Sequence, residues 1–146
     1  MTYLLDVNCL VALFDSRHVN HEAAHGWFAR TGRRSWATCP ITENGFVRVL
    51  SAPTYPTVTA TPGEVIKHLA LFCEHAGHEL WDDDVSILSI LDDGTRTRLT
   101  GHQQVTDFYL TALAAHHSGR VATFDGSLAR SLKGTKLVDA LEVITG

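Results

Sequence analysis

The stretch "YLLDVNCLVALFDS", Tyr3 to Ser16, is apolar almost throughout, yet Asp6 and Asn8 stand near its start. Tyr3–Leu5 reads as a short buried strand, and Cys9–Phe14 as the start of a helix. A carboxylate and an amide placed where a buried strand feeds a helix must find partners or do chemistry. Whether that strand-to-helix step recurs along the chain decides the fold.

It recurs. Asn20 is placed to cap a helix running to about Arg30, with Ala23, Ala24, Trp27 and Phe28 at helical spacing and Gly32 as its stop. "SWAT", Ser35–Thr38, is a second strand, and Pro40 opens a helix to Leu50. "SAPTYPTVTATP" is a loop with three prolines. Thr61 and Glu64 then form a capping box around Pro62, at the head of a helix that ends near Gly77. "HELW" is the third strand, and Val85–Leu91 a short helix. "DDGTRTRLTG" is loop, and "QVTDFYLTALAAHHSG" a buried helix closed by Gly119. "RVATF" is the fourth strand, Ser127–Leu132 a short helix, and Leu141–Ile144 the fifth strand. Such alternation implies a parallel sheet with helices on both faces.

The 146 residues make one domain, 1–146, without repeat or linker. Apolar residues make up 45%, but no run approaches the roughly 20 residues of a membrane helix. Asp6 interrupts the first apolar run, so no signal peptide is read and a cytoplasmic protein is expected. Cys9, Cys39 and Cys73 lie among apolar residues without CxxC spacing, which announces neither a disulfide framework nor a zinc site. The net charge of −4 gives no bulk sign of nucleic-acid binding and leaves local patches open.

In open parallel sheets ligands bind beyond the carboxyl ends of the strands. Four acids follow strands there: Asp6, Glu43 in the first turn after "SWAT", Asp107 at the head of the buried helix, and Asp125 after "RVATF". Singly, each has a bland reading. Asp6 and Asp125 can cap helices, and Glu43 and Asp107 can complement helix dipoles, worth roughly 0.3–1 kcal/mol each. Together they would repel at low dielectric. No Lys or Arg lies within three residues of Asp6, Asp107 or Asp125, and only Arg48, later in its helix, accompanies Glu43. A hard divalent cation neutralises such a cluster, polarises phosphates and activates water.

"LLDVN", "TEN", "VTDFYLTALA" and "VATFDGSLA" stand in the order and spacing of the PIN-domain ribonucleases. The chain most resembles the VapC-type toxins of toxin–antitoxin pairs, over essentially its whole length. "RLTGHQQVTD", Arg98–Asp107, is similar to the segment before the third acid in many of them. The resemblance implies a PIN-like three-layer α/β/α sandwich around a parallel sheet of about five strands. It implies Mg²⁺ or Mn²⁺ held by Asp6, Glu43, Asp107 and Asp125, with Asn8 and Thr123 orienting them, and RNA hydrolysis by metal-activated water. It further implies tRNA or rRNA as target, a homodimer, and a VapB-type antitoxin partner. One departure is Ser127, where some members carry a further acid two residues after the fourth.

Arg48, Arg96 and Arg98 are candidate RNA contacts, and Arg30, Arg33 and Arg34 form another basic group. His21 and His25 share a helix face but lack an HExxH frame, so they read as surface histidines, while His116 and His117 suit a helix C-terminus. Asp82–Asp84 reads as a solvated turn, and "LDDG" as another. Val65, Ile66, Leu69, Leu71 and Phe72 exceed one core face, which fits a dimer surface or deeper burial. Two alternatives compete with the nuclease. A dehalogenase-like phosphatase needs a second Asp where Asn8 stands. A non-catalytic PIN-fold binding module would be favoured by loss of an acid, and all four are present.

Overall fold

The computed structural model describes all 146 residues, Met1–Gly146. Five strands form one sheet: β1 (Tyr3–Leu5), β2 (Trp36–Thr38), β3 (His78–Leu80), β4 (Arg120–Thr123) and β5 (Leu141–Val143). The order is β3-β2-β1-β4-β5 and every pairing is parallel. The helices are α1 (Val7–Phe14), α2 (His21–Arg30), α3 (Pro40–Leu50), α4 (Pro62–Cys73), α5 (Ile87–Ile90), α6 (Asp93–Arg96), α7 (Val105–His116) and α8 (Gly126–Leu132). This is the α/β/α sandwich expected, with five strands.

The period-two alternation of the strands builds the two faces. Leu5, Trp36 and Ala122 point into a core shared with α1–α4. Their neighbours Leu4, Ala37 and Val121 point the other way, against Tyr109, Leu110 and Leu113 of α7. Trp36, Phe46 and Phe108 are fully buried. Removing a buried ring of that size costs about 3–5 kcal/mol.

Several boundaries differ from expectation, among them α5, which runs Ile87–Ile90 inside the expected Val85–Leu91. α1 begins at Val7 rather than Cys9, because Asp6 already accepts a hydrogen bond from the Val7 N–H and caps the first turn. α4 ends at Cys73, short of Gly77. Gly77 instead takes φ +91°, and its carbonyl accepts from the Trp36 N–H at 2.9 Å to start β3 beside β2. A Cβ there would sit 2.5 Å from the Arg33 carbonyl oxygen. A four-residue helix, α6, also interrupts the expected 92–101 loop, capped by Asp92. No helix is long and apolar enough to cross a membrane.

The chain moves from β1 outward to β2 and β3, then returns to place β4 on the other side of β1. The strand order therefore reverses between β1 and β4, the position where parallel sheets open a crevice. Asp6 follows β1 and Asp125 follows β4, so both acids stand at that point.

Candidate active site

Asp6 is 7% exposed. Its Oδ1 accepts from the Val7 N–H at 2.8 Å and its Oδ2 from the Thr123 hydroxyl at 2.9 Å. The same hydroxyl oxygen accepts from Asn8 Nδ2 at 3.1 Å and from the Asp125 N–H at 3.1 Å. Asn8 Oδ1 accepts from the Phe124 N–H at 3.3 Å. Asn8 and Thr123 thus lock the ends of β1 and β4 together and aim Asp6. Asp125 caps α8, accepting from the Ser127 N–H at 3.0 Å and from the Ser127 hydroxyl. The capping reading is realised here: Asp6 and Asp125 are both helix caps, and they stand near each other.

Asp107 approaches from the first turn of α7. Burial, then the charges of Asp6 and Asp125, push its carboxyl up to about 6. Burial also raises the Asp6 carboxyl, and Asp125 adds to the effect against the hydrogen bonds from Thr123 and Val7. No hydrogen-bond donor meets the Asp107 carboxylate, and none of the three aspartates is ion-paired. The two ion pairs in the chain are Arg96–Asp93 and Arg120–Glu142. Two adjoining clefts of about 400 and 410 Å³ share Asp6, Val7, Val49 and Asp107 in their walls. Asn44 and Arg48 bound one, and Asn8, His18 and Tyr55 the other.

The expected convergence of four carboxylates is corrected to three. Glu43 does not join the aspartates: its Oε2 accepts from the Thr38 hydroxyl at 2.8 Å, and it lines a separate groove towards α4. Strand parity gives the reason. Thr38 points to the same sheet face as Trp36, whereas Thr123 points to the opposite face with Val121. The residues of α3 that line the cleft with Asp6 and Asp107 are Ile41, Asn44, Gly45, Arg48 and Val49.

Of the arginines, Arg48 reaches the cleft wall. Arg96 donates to the Leu88 carbonyl, and Arg98 to the Ser131 carbonyl beside Gly134, so neither lines the clefts with the aspartates. Arg33 and Arg34 line another hollow with His25 and His75. His21 Nδ1 and His25 Nε2 pair with the Ala12 and Leu13 carbonyls, serving the open end of α1 rather than a metal. His117 stacks on Trp81, with ring centroids 4.4 Å apart. Asp82, Asp83 and Asp84 are exposed.

Two groups escaped the sequence reading. Asp15 is 3% exposed and accepts from the Tyr55 hydroxyl at 2.6 Å, the Thr57 hydroxyl and the Arg17 N–H. It ties the proline-rich loop to the end of α1. Glu43, Cys73 and His78 form the other group, their ligand atoms all within 4.8 Å of one another. The Cys73-x₄-His78 spacing was its available signal.

Asp6, Asp107 and Asp125 thus stand near one another at the switch point of a parallel α/β sheet, where ligands of such sheets bind, with clefts opening beside Asp6 and Asp107. The PIN domain family matches residues 3–131, and the chain belongs to that family as a VapC-type member. It is 46% identical to ribonuclease VapC39 of Mycobacterium tuberculosis over 131 residues, covering 90% of this chain and 94% of the relative. Ribonuclease VapC44 of the same organism is 48% identical over 131 residues, covering 88% and 89%. Ribonuclease VapC38 is 37% identical over 125 residues, covering 86% of each.

Proposed function

We propose that the protein is a divalent-metal-dependent endoribonuclease that acts in the cytoplasm as the toxin of a type II toxin–antitoxin pair. Its substrate class is single-stranded or looped RNA, in tRNA or rRNA, and the phosphodiester bonds are hydrolysed by water. The observation that carries this reading is the meeting of Asp6, Asp107 and Asp125 with no positive partner beside open clefts. Oxygen-only donors of that charge fit Mg²⁺ or Mn²⁺. Bound there, such an ion neutralises phosphate charge and acidifies water. Ser127 occupies Asp125 with two hydrogen bonds where some relatives would add an acid, which favours one ion over two.

The remaining work falls to the chain's own side chains. Thr123 and Asn8 hold Asp6 in one orientation. Asp107, at the cleft wall with Asp6 and without a hydrogen-bond donor on its carboxylate, is free to hold the ion or a water beside it. Arg48, at the cleft wall, is placed to meet a substrate phosphate. Glu43 stays outside this set in its present bonding.

The relatives' VapC names support a VapB-type antitoxin as partner. A groove of about 730 Å³ lined by Val47, Pro53, Pro62, Ile66 and Leu69 adjoins the site through Asn44 and Arg48 and offers such a partner an apolar bed. A homodimer is included in the proposal, through exposed Ile66 and Leu71 on α4.

Mapping the cut RNA tests the chemistry. Water as nucleophile leaves a 5′-phosphate and a 3′-hydroxyl, stops with EDTA and resumes with Mg²⁺ or Mn²⁺. Cyclic-phosphate ends, or cleavage undiminished by EDTA, would hand the reaction to histidine.

A further inference from the structure

Thr38 closes β2 and turns its hydroxyl towards α4. Three donors of different chemistry gather around it. Glu43 Oε2 accepts from the hydroxyl at 2.8 Å, and His78 Nε2 lies 2.8 Å from the same oxygen. Cys73, the last residue of α4, brings its thiol to the same group. A carboxylate oxygen, an imidazole nitrogen and a thiol sulfur thus come from α3, β3 and α4, all within 4.8 Å of one another and all half-buried. Glu43 has no Lys or Arg partner, since both ion pairs lie elsewhere. Cys73 is a free thiol.

We infer that Glu43, Cys73 and His78 form a second metal site, distinct from the aspartates, for a borderline-soft ion of the Zn²⁺ class. Softness separates the two sites: thiolate and imidazole select zinc-like ions, whereas the all-oxygen aspartates select Mg²⁺ or Mn²⁺. The geometry is close to what such an ion needs. Bonds of 2.0–2.3 Å at the tetrahedral angle put ligand atoms roughly 3.3–3.8 Å apart, so side-chain adjustments of about an ångström suffice. The four residues between Cys73 and His78 give a spacing common in zinc sites. Binding releases the thiol proton to solvent, while the neutral His78 ligates through one ring nitrogen and keeps its single proton on the other. The ion's charge relieves a thiol that burial and the Glu43 carboxylate both push up. An occupied site joins α3, α4, β2 and β3, and holds Glu43 away from the aspartates.

Cobalt titration reads this site without reference to nuclease activity. The full chain, stripped with chelator and kept in excess Mg²⁺, is titrated with Co²⁺. A near-ultraviolet thiolate-to-cobalt charge-transfer band that saturates at one ion per chain and is displaced by Zn²⁺ is expected. The band disappears in Cys73→Ser, and cobalt affinity falls about tenfold or more in His78→Ala. It persists in Asp6→Asn, so failure of the nuclease proposal leaves this test intact. Absence of the band in the wild type, its survival in Cys73→Ser, or its loss in folded Asp6→Asn would overturn the inference.

Discussion

Thr123 donates its hydroxyl proton to Asp6 across the β1–β4 boundary at 2.9 Å, between residues 117 apart in sequence. The same oxygen gathers Asn8 and the Asp125 backbone. Thr123→Val keeps the volume and deletes these bonds. Loss of a group that orients ligands typically costs 10–100-fold in metal affinity or activity, and about that loss in cleavage rate is expected. Thr123→Ser restores the hydroxyl and most of the rate. Equal rates for the valine and serine variants would remove Thr123 from the site.

Asp107 couples function to instability. Its carboxyl is raised to about 6 by burial and the neighbouring aspartates, from 3.8 unfolded. The folded state therefore binds the proton more tightly than the unfolded state, and stability falls as pH rises from about 4 to about 6. At neutral pH the metal-free protein carries the full penalty, on the order of 1 kcal/mol once solvent screening at the cleft is allowed for. Asp107→Asn should raise the Tm of metal-free protein at pH 7.5, leave it nearly unchanged at pH 4, and abolish cleavage. A lower Tm at pH 7.5 would reject the electrostatic account.

The sheet was legible because each strand is a short apolar run feeding a helix, and "YLLDV" and "RVATFD" end on the acids that meet at the switch point. Asp107 was legible from its place at the head of the most buried helix. The error at Glu43 had a definite source. Counting acids after strands locates them along the sheet edge but not on which face, and Thr38, the neighbour that captures Glu43, points to the α4 side. The Cys73–His78 pairing depends on β3 lying beside β2 in the register that sets His78 opposite Trp36. Asp15 drew no reading from the sequence, because its partners Tyr55 and Thr57 lie 40 and 42 residues downstream.

That facial separation of Glu43 is measurable. Manganese binding should weaken sharply in Asp6→Asn, since a buried ligand aimed by two hydrogen bonds is lost. Glu43→Gln should keep Mn²⁺ affinity within a few-fold, because the glutamine still pairs with Thr38 on the other face. Similar losses in the two variants, measured by calorimetry, would return Glu43 to the aspartate site.

α4 divides its apolar residues between core and solvent. Val65 and Leu69 are 1% and 6% exposed, while Ile66 and Leu71 are 55% and 51% exposed. Deeper burial therefore accounts for part of the apolar sector and leaves the rest for a partner. A dimeric mass by light scattering at micromolar concentration is expected, and Ile66→Asp with Leu71→Asp should shift it to monomer without unfolding. A monomeric wild type would reject the dimer.

Asp15 anchors the loop that carries Tyr55 to the wall of the cleft. Burial opposes its ionisation, but hydrogen bonds from Thr57, Tyr55 and the Arg17 N–H outweigh it and hold the carboxyl below its ordinary value. A depressed carboxylate contributes stability above its unfolded pKa of about 3.8 and loses it as pH falls through the lower folded value. The wild type should therefore lose stability below about pH 4 by a route closed to Asp15→Asn, and the two urea midpoints should converge in acid. At neutral pH, Asp15→Ala removes the partner of the half-buried Tyr55 hydroxyl, at roughly 1 kcal/mol, while the exposed Thr57 turns to water. Proteolysis should then begin within residues 51–61. A variant as stable and as protease-resistant as the wild type at pH 7 would show that the loop is held by its prolines and packing rather than by Asp15.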